Sequence, residues 1–140
     1  SLADSRVGRI VQVQKKSAAI RVEKEAKMPG ARILESGLIF RTIKAGTGPT
    51  PSRKSLVTVH YQGSLADGTV FDSSYSRNEP TAFPLDQVIP CWTEALQLMK
   101  EGGKAHLVCP SQIAYGTSGA PPAIPPGATL FFEVELLKSK

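Results

Sequence analysis

The feature that most constrains the fold is the segment VHYQGSLADGTVFDSS, residues 59–74. Apolar and polar residues alternate through residues 57–61, which is typical of a strand with one buried face. The tripeptide Ala-Asp-Gly at residues 66–68 has the composition of a tight turn, and apolar residues resume at Val70. The segment is therefore predicted to be a β-hairpin.

An aromatic residue and a carboxylate stand side by side at the end of this hairpin. They are Phe71 and Asp72. This pairing suits a pocket that holds an apolar ring together with a polar backbone. We therefore expect the end of the hairpin to contribute to a binding site.

The chain has 140 residues, 41% of them apolar, which suits one domain with its own core and is too short for two. Its charge is unevenly distributed. Residues 1–30 contain seven Lys and Arg against three Asp and Glu, net +4, whereas residues 31–140 contain ten against nine, net +1. We predict an N-terminal helical extension over residues 1–30 and a globular domain over residues 31–140.

A basic extension can bind nucleic acid or an anionic membrane surface, or it can be a solvated helix. Here the basic residues are scattered, and no aromatic residues are interleaved to stack on bases. The solvated helix is the preferred interpretation, so no nucleic-acid partner is expected. No run approaches the roughly 18 apolar residues of a transmembrane helix, so neither a transmembrane segment nor a signal region is expected.

The two cysteines, Cys91 and Cys109, allow one disulfide at most. Two reduced, half-buried thiols are the expected state. The chain has two histidines, His60 and His106, and no CxxC or HxxxH spacing. Neither a metal site nor a cofactor is therefore expected.

Residues from about Ser5 to Lys27 have the features of an amphipathic helix, with Asp4 or Ser5 as its N-cap and Pro29 after its end. Its apolar residues form one narrow stripe: Val7, Val11, Ala18, Val22 and Ala26. Such a stripe packs either along the domain or against a second copy of the helix. We expect a monomer, with a dimer through this helix as the alternative.

Further strands and one short helix are predicted on either side of the hairpin. A strand after the linker is expected to turn Leu38, Phe40 and Ile43 inward. A short helix is predicted to begin near Pro90 and to stop at the glycine pair that starts with Gly102. Two more strands follow that helix.

Four or five antiparallel strands with one internal helix predict an α+β fold. In this fold a curved antiparallel sheet of about five strands wraps around one short α-helix, and the N-terminal α-helix precedes them. The loops around residues 72–80 and 115–127 are then expected to surround an opening between sheet and helix.

Three long motifs carry a resemblance to a known family: VHYQGSLADGTVFDSS, QVIPCWTEALQLMKEGG and AYGTSGAPPAIPPGATLFFEVELL. In this order they closely resemble the FKBP-type peptidyl-prolyl cis-trans isomerases, from about Gly37 to Leu137. The N-terminal helix leading into SGLIFRTIKAGTGP, together with EPTAFPL and WTEALQLM, looks most like the macrophage infectivity potentiator (Mip) branch.

The resemblance implies a shallow aromatic pocket for a proline ring, with Trp92 as its floor. The substrate-binding residues that it implies around this floor are Tyr61, Phe71, Phe83, Val88, Ile89, Ile124 and Phe132. Asp72 and Tyr115 are implied as the catalytic residues, and the Ile89 N–H as a further polar contact. The chain departs from the common pattern at Cys91, Ala95 and Thr81, which puts the pocket's rim and its affinity for inhibitors in question.

The chemistry implied is rotation about Xaa-Pro bonds, against a barrier of about 18–20 kcal/mol. Charge separation across the amide falls in the twisted transition state, so an apolar, water-poor pocket favours that state over the planar ground state. No nucleophile is needed, and Ser73, Ser74 and Cys91 have no suitably placed partner evident in the sequence.

The expected partners are Xaa-Pro-containing polypeptides and macrolide inhibitors of the FK506 or rapamycin type. A proline-binding or chaperone module with little turnover is the alternative function. The family branch implies a secreted, periplasmic or secretory-pathway protein, with a cytoplasmic one as the alternative.

Overall fold

The computed structural model describes residues 6–140, so the expected N-cap at Asp4 or Ser5 lies outside the described residues. Two α-helices and seven β-strands follow one another along the chain. They are α1 (Arg6–Ala26), β1 (Arg32–Ile33), β2 (Ile39–Lys44), β3 (Leu56–Ser64), β4 (Val70–Ser73), β5 (Thr81–Pro84), α2 (Pro90–Leu96), β6 (Lys104–Cys109) and β7 (Leu130–Ser139). Short 3₁₀ helices lie at Leu85–Gln87 and Ser111–Ile113.

The strands form one antiparallel sheet in the order β1-β2-β6-β7-β3-β4, and β5 also pairs with β3. The predicted α+β class is confirmed, with seven strands where about five were expected. The two unexpected strands are β1, which has two residues, and β5, whose sequence TAFP ends in proline. Neither is long enough to show a clear alternation of apolar and polar residues.

The predicted hairpin is present as β3 and β4, with Gln62 opposite Ser73 and Gly63 opposite Asp72. Gly68 adopts a φ of 91° at the turn, where a residue with a Cβ is disfavoured. The strands are closed by a hydrogen bond from the Leu65 N–H to the Thr69 carbonyl at 2.9 Å. The turn chemistry read from the sequence therefore corresponds to the turn observed.

Two details of the predicted elements differ from the structure. Ile43 is 43% exposed, because the period of two along β2 places it on the outer face with Ile39 while Phe40 faces the core. Helix α2 ends at Leu96, well before Gly102, and the chain continues as turns. The Gly102 N–H donates to the Leu136 carbonyl at 2.8 Å, which ties this turn to β7.

Helix α1 packs on the outer face of the sheet, so its apolar stripe contacts the chain's own domain. Val22 and Ala26 contact the outer cluster formed by three buried residues, Ile39, Val108 and Phe131. Val11 is buried against the loop before β7, close to Gly127. No helix within residues 6–140 is long and apolar enough to cross a membrane.

Polar contacts fix the second half of α1. The guanidinium of Arg21 lies 3.8 Å from the centre of the Phe131 ring, and Arg21 donates a hydrogen bond to the Leu65 carbonyl at 2.9 Å. One turn later, the Glu25 carboxylate lies 3.5 Å from Arg41 and 3.6 Å from His106 Nδ1. Because the partners of α1 lie on β2, β6, β7 and the turn of the hairpin, these contacts define one orientation of the helix on the sheet.

The expectation of two reduced thiols is wrong, because Cys91 and Cys109 form a disulfide with their Cα atoms 5.8 Å apart. Both residues are fully buried. The bridge joins the first turn of α2 to the last residue of β6. A sequence separation of eighteen says nothing about proximity in space, and only the packing of α2 on the sheet brings the two residues together.

Reduction of this disulfide is expected to lower the free energy of unfolding by about 3 kcal/mol, because an 18-residue loop regains conformational freedom in the unfolded chain. Urea unfolding with and without reductant measures the change. The double variant Cys91→Ala/Cys109→Ala is the control and should not respond to reductant. Two titratable thiols in the denatured, unreduced protein would contradict the bridge.

Folding stability is expected to decrease as the pH falls below 6.5, because of His106. Burial lowers the pKa of its imidazole; Glu25 opposes this effect, while Arg41 and Arg21 reinforce it. The unfolded chain therefore takes up a proton at this residue before the folded chain does, and the stability present above the ordinary pKa of 6.5 is lost below it. Thermal unfolding across about pH 8 to 5 measures the loss.

The variant His106→Gln should show a shallower dependence on pH over the same range, since its side chain does not titrate. The variant His60→Gln retains His106 and should keep its contribution. An unchanged slope in His106→Gln would contradict this assignment.

Candidate functional site

A cavity of about 450 Å³ opens between α2 and the sheet, where β3, β4, β5 and β7 approach the helix. Most of its wall is aromatic or aliphatic. Its lining residues are Tyr61, Phe71, Asp72, Phe83, Gln87, Val88, Ile89, Trp92, Tyr115 and Phe132. The expected loops around 72–80 and 115–127 each contribute one residue to this wall.

Trp92, in the first turn of α2, forms the floor and is 4% exposed. Three rings from the sheet meet it edge to face, with centroids 5.1 Å away for Tyr61, 5.6 Å for Phe83 and 5.4 Å for Phe132. Because this arrangement brings the positive edge of one ring to the negative face of another, each pair is favourable beyond the area that it buries. The floor is therefore held in place from three sides.

A glycine in β3 makes room for part of this wall. A Cβ added at Gly63 would lie 2.5 Å from the Phe71 ring and 2.7 Å from the Phe132 ring. These two rings meet edge to face with centroids 5.7 Å apart. Any larger residue at this position would push the two rings apart.

The floor contains one unusual polar atom. Trp92 Nε1 is buried and has no hydrogen-bond partner within residues 6–140. An indole N–H without a partner carries a desolvation cost, which most native folds avoid. Apart from this donor, the base of the cavity is apolar, so it offers water little to bind.

The polar groups of the cavity are gathered on one wall around Asp72. The Tyr61 hydroxyl donates a short hydrogen bond to one carboxylate oxygen, and Arg77 donates to the other at 2.5 Å. Arg77 also donates to the Tyr61 oxygen and to Thr81 Oγ1, each at 3.3 Å. The carboxylate is thus bound by a phenol and a guanidinium.

These contacts change the protonation behaviour of both acids. Burial raises the pKa of the Tyr61 phenol, and the hydrogen bond to Asp72 raises it further, against an opposing effect of Arg77. Partial burial raises the pKa of the Asp72 carboxyl, but the hydrogen bonds from Tyr61 and Arg77 outweigh it and hold this pKa below its usual value. At neutral pH the pair is therefore a phenol and a carboxylate.

Two hydrogen-bond donors lie at the rim of the cavity. Tyr115 is 41% exposed and follows the short helix after β6. The Ile89 N–H precedes α2 and donates no hydrogen bond within the part of the chain described. Both groups are available to a carbonyl oxygen of a bound molecule.

The structure brings all but one of the expected site residues to the cavity. The exception is Ile124, which is buried in the core and does not line the cavity. Its backbone exchanges two hydrogen bonds with Ala120, at 2.9 and 3.0 Å, so it braces the loop that follows Tyr115. Gln87 also lines the cavity and was not predicted, because it is the last residue of a 3₁₀ helix, Leu85–Gln87, that the sequence pattern did not indicate.

The structure also corrects the reading of Ser74, for which no partner was evident in the sequence. His60 Nδ1 lies 2.9 Å from Ser74 Oγ. This serine is fully buried, and its oxygen accepts a hydrogen bond from the Tyr61 N–H at 2.7 Å. The pair therefore supports the hairpin from behind and does not present a nucleophile to the cavity.

An antiparallel sheet packed on one short helix, with an aromatic cavity between them, defines a class of α+β domains. Residues 48–137 match the family model described as FKBP-type peptidyl-prolyl cis-trans isomerase. The chain belongs to this family, which confirms the resemblance seen in its motifs.

Relatives and solved structures agree with this assignment. The FKBP-type 22 kDa peptidyl-prolyl cis-trans isomerase of Escherichia coli is 54% identical over 117 residues, which are 84% of this chain and 57% of that protein. The isomerase Mip of Coxiella burnetii is 46% identical over 80% of this chain and 49% of its own length. The crystal structure of FkpA from E. coli has a TM-score of 0.93 at 43% identity, covering 99% of this chain and 64% of that one. The chain thus spans about half the length of these curated relatives.

The variant Asp72→Ala is expected to lower the pKa of Tyr61, because the carboxylate that accepts its proton and repels its phenolate is lost. A pH titration followed by NMR of ¹³C-labelled tyrosine resolves this residue from the other tyrosines. Asp67→Ala, in the turn of the same hairpin, is the matched control. A Tyr61 pKa unchanged in Asp72→Ala would show that burial alone causes the shift.

Proposed function

We propose that this chain is a peptidyl-prolyl cis-trans isomerase that accelerates rotation about Xaa-Pro bonds and assists protein folding. The observation that carries the proposal is the aromatic cavity above Trp92, with its polar groups confined to one wall and the rim. A pyrrolidine ring is an apolar group of suitable size for such a cavity. Xaa-Pro-containing polypeptides are the proposed substrates.

The catalytic effect follows from the electronic change in the amide. Planar Xaa-Pro amides carry charge separation that water stabilises, and the twisted transition state carries less. An apolar cavity replaces that water and so disfavours the planar form more than the twisted one. No covalent step is involved, which agrees with the buried position of Ser74 and the disulfide at Cys91.

The proposed roles of the polar residues follow from their positions. Tyr115 and the Ile89 N–H donate hydrogen bonds to carbonyl oxygens of the substrate and hold its backbone across the rim. Asp72 stays ionised and orients Tyr61 and Arg77, so that the cavity wall keeps one shape and one charge distribution. Apart from the amide of Gln87, the remaining lining residues contribute apolar surface.

We further propose that macrolides of the FK506 or rapamycin type occupy the same cavity. Two of the departures from the common family pattern, Cys91 and Ala95, are fully buried and do not line the cavity wall. Thr81 accepts a hydrogen bond from Arg77 and so affects the polar rim. An altered affinity for such inhibitors would therefore arise at Thr81.

We also propose that the protein works in an oxidising compartment and is a monomer. The Cys91–Cys109 disulfide supports an oxidising compartment, such as the periplasm or the secretory pathway, over the cytoplasm. The apolar stripe of α1 packs on the chain's own domain, with Val11 against the loop before β7 and Val22 against the sheet, which supports a monomer over a dimer through this helix.

The isomerase is expected to speed the cis-to-trans change of a short Leu-Pro peptide, and Tyr115→Phe should lower kcat/KM by up to about tenfold, the effect of one hydrogen bond. Asp72→Ala should also lower it. The matched control is Tyr75→Phe, since Tyr75 is similarly exposed but stacks on His60 away from the cavity. A protease-coupled or NMR exchange assay gives the rates.

A folded protein that binds the peptide, or a macrolide, without accelerating isomerisation would overturn the proposal. Such a result would favour the alternative, a proline-binding or chaperone module with little turnover. Acceleration that a macrolide abolishes, and that Tyr75→Phe retains, would support catalysis in this cavity.

A further inference from the structure

A second cavity, of about 490 Å³, adjoins the first. It is a groove in which six of the nine lining residues have polar or charged side chains. Its lining residues are Ser36, Arg53, Asp86, Val88, Pro90, Thr93, Glu94, Gln97 and Ile113. Val88 lines both cavities, so the two meet at this residue.

The two cavities are built on the same two segments of chain. In residues 86–90, Gln87 and Ile89 line the aromatic cavity, whereas the residues that alternate with them, Asp86 and Pro90, line the groove. The segment after β6 also contributes to both cavities, with Ile113 lining the groove and Tyr115 lining the aromatic cavity. The groove is therefore a continuation of the cavity past Val88.

A polypeptide whose proline occupies the cavity must leave it across the rim. An extended chain advances about 3.3 Å per residue, so the second or third residue from the proline lies beyond a single side chain such as Val88. The groove meets the aromatic cavity at Val88. Its occupant is thus a flanking part of the same substrate chain, an inference that rests on the proposed isomerase function.

The charges of the groove select the chemistry of that flanking residue. Asp86 and Glu94 contribute two carboxylates against one guanidinium, from Arg53, and none of the three forms an ion pair within residues 6–140. The Ser36 hydroxyl donates a short hydrogen bond to Glu94, which holds that carboxylate in the groove. The groove is therefore locally acidic, although the chain as a whole carries a net charge of +5.

We propose that this groove is a specificity subsite for a basic side chain, Lys or Arg, placed two or three residues from the isomerised proline. Opposite charge in the groove favours such chains over acidic ones, both in their encounter with the protein and in the bound complex. The aromatic cavity recognises the proline, and the groove distinguishes between the sequences around it.

The test compares peptides that share one Leu-Pro core and carry Lys, Gln or Glu two or three residues before or after the proline. In one of these placements kcat/KM should be higher for Lys than for Glu, and the double variant Asp86→Asn/Glu94→Gln should reduce this ratio by about two- to fivefold per carboxylate, as for exposed charge pairs. High salt should reduce it as well.

Because the readout is a ratio between peptides, a general loss of activity in the variant cancels. Glu23→Gln removes the same charge from the solvent-exposed side of α1 and should leave the ratio unchanged. Turnover without any preference for Lys, or a preference that the double variant retains, would overturn the subsite and leave the isomerase intact. No turnover of any peptide would overturn the isomerase and the subsite together.

Discussion

The edge-to-face packing of Trp92 against three rings of the sheet is the contact on which both the core and the cavity depend. Each ring comes from a different strand, so the indole can meet all three only if β3, β5 and β7 pair in the observed register. The same contact leaves the upper face of the indole as the floor of the cavity. The same packing therefore stabilises the fold and forms the cavity. The disulfide at Cys91, next to Trp92, attaches this helix to β6.

The outer layer of the protein reaches the same cavity from the other side of the sheet. Gly127 has a φ of 76°, and a Cβ there would lie 3.0 Å from Val11 of α1. Its N–H donates to the Gly116 carbonyl at 2.9 Å, and Gly116 follows Tyr115. A short chain of contacts thus joins the N-terminal helix to a donor at the rim, so α1 is more than a solvated extension.

Local sequence patterns predicted those parts of the structure that depend on neighbouring residues. The hairpin followed from alternation and from Gly68, whereas the cavity residues were implied only by the resemblance of three motifs to a known family. Contacts between distant segments could not be read in this way. The Cys91–Cys109 bridge and the pairing of His60 with Ser74 depend on strand register and helix placement. Ile43 was assigned to the inner face of its strand, but it lies an odd number of residues from Phe40 and is on the outer face.

The charged groups at the aromatic cavity, Asp72 and Arg77, lie together on one wall and are bound to each other, which limits the ligand groups that the cavity can distinguish. The Asp72 carboxylate already accepts hydrogen bonds from Tyr61 and Arg77, so little of its bonding capacity remains for a ligand. Under the proposed isomerase function, a bound chain is recognised by its proline ring and by its carbonyl oxygens, features that every Xaa-Pro segment offers. Discrimination between such segments has to come from side chains beyond the ring. In the proposed subsite this role belongs to Asp86 and Glu94, two carboxylates in the adjoining groove that form no ion pair within residues 6–140.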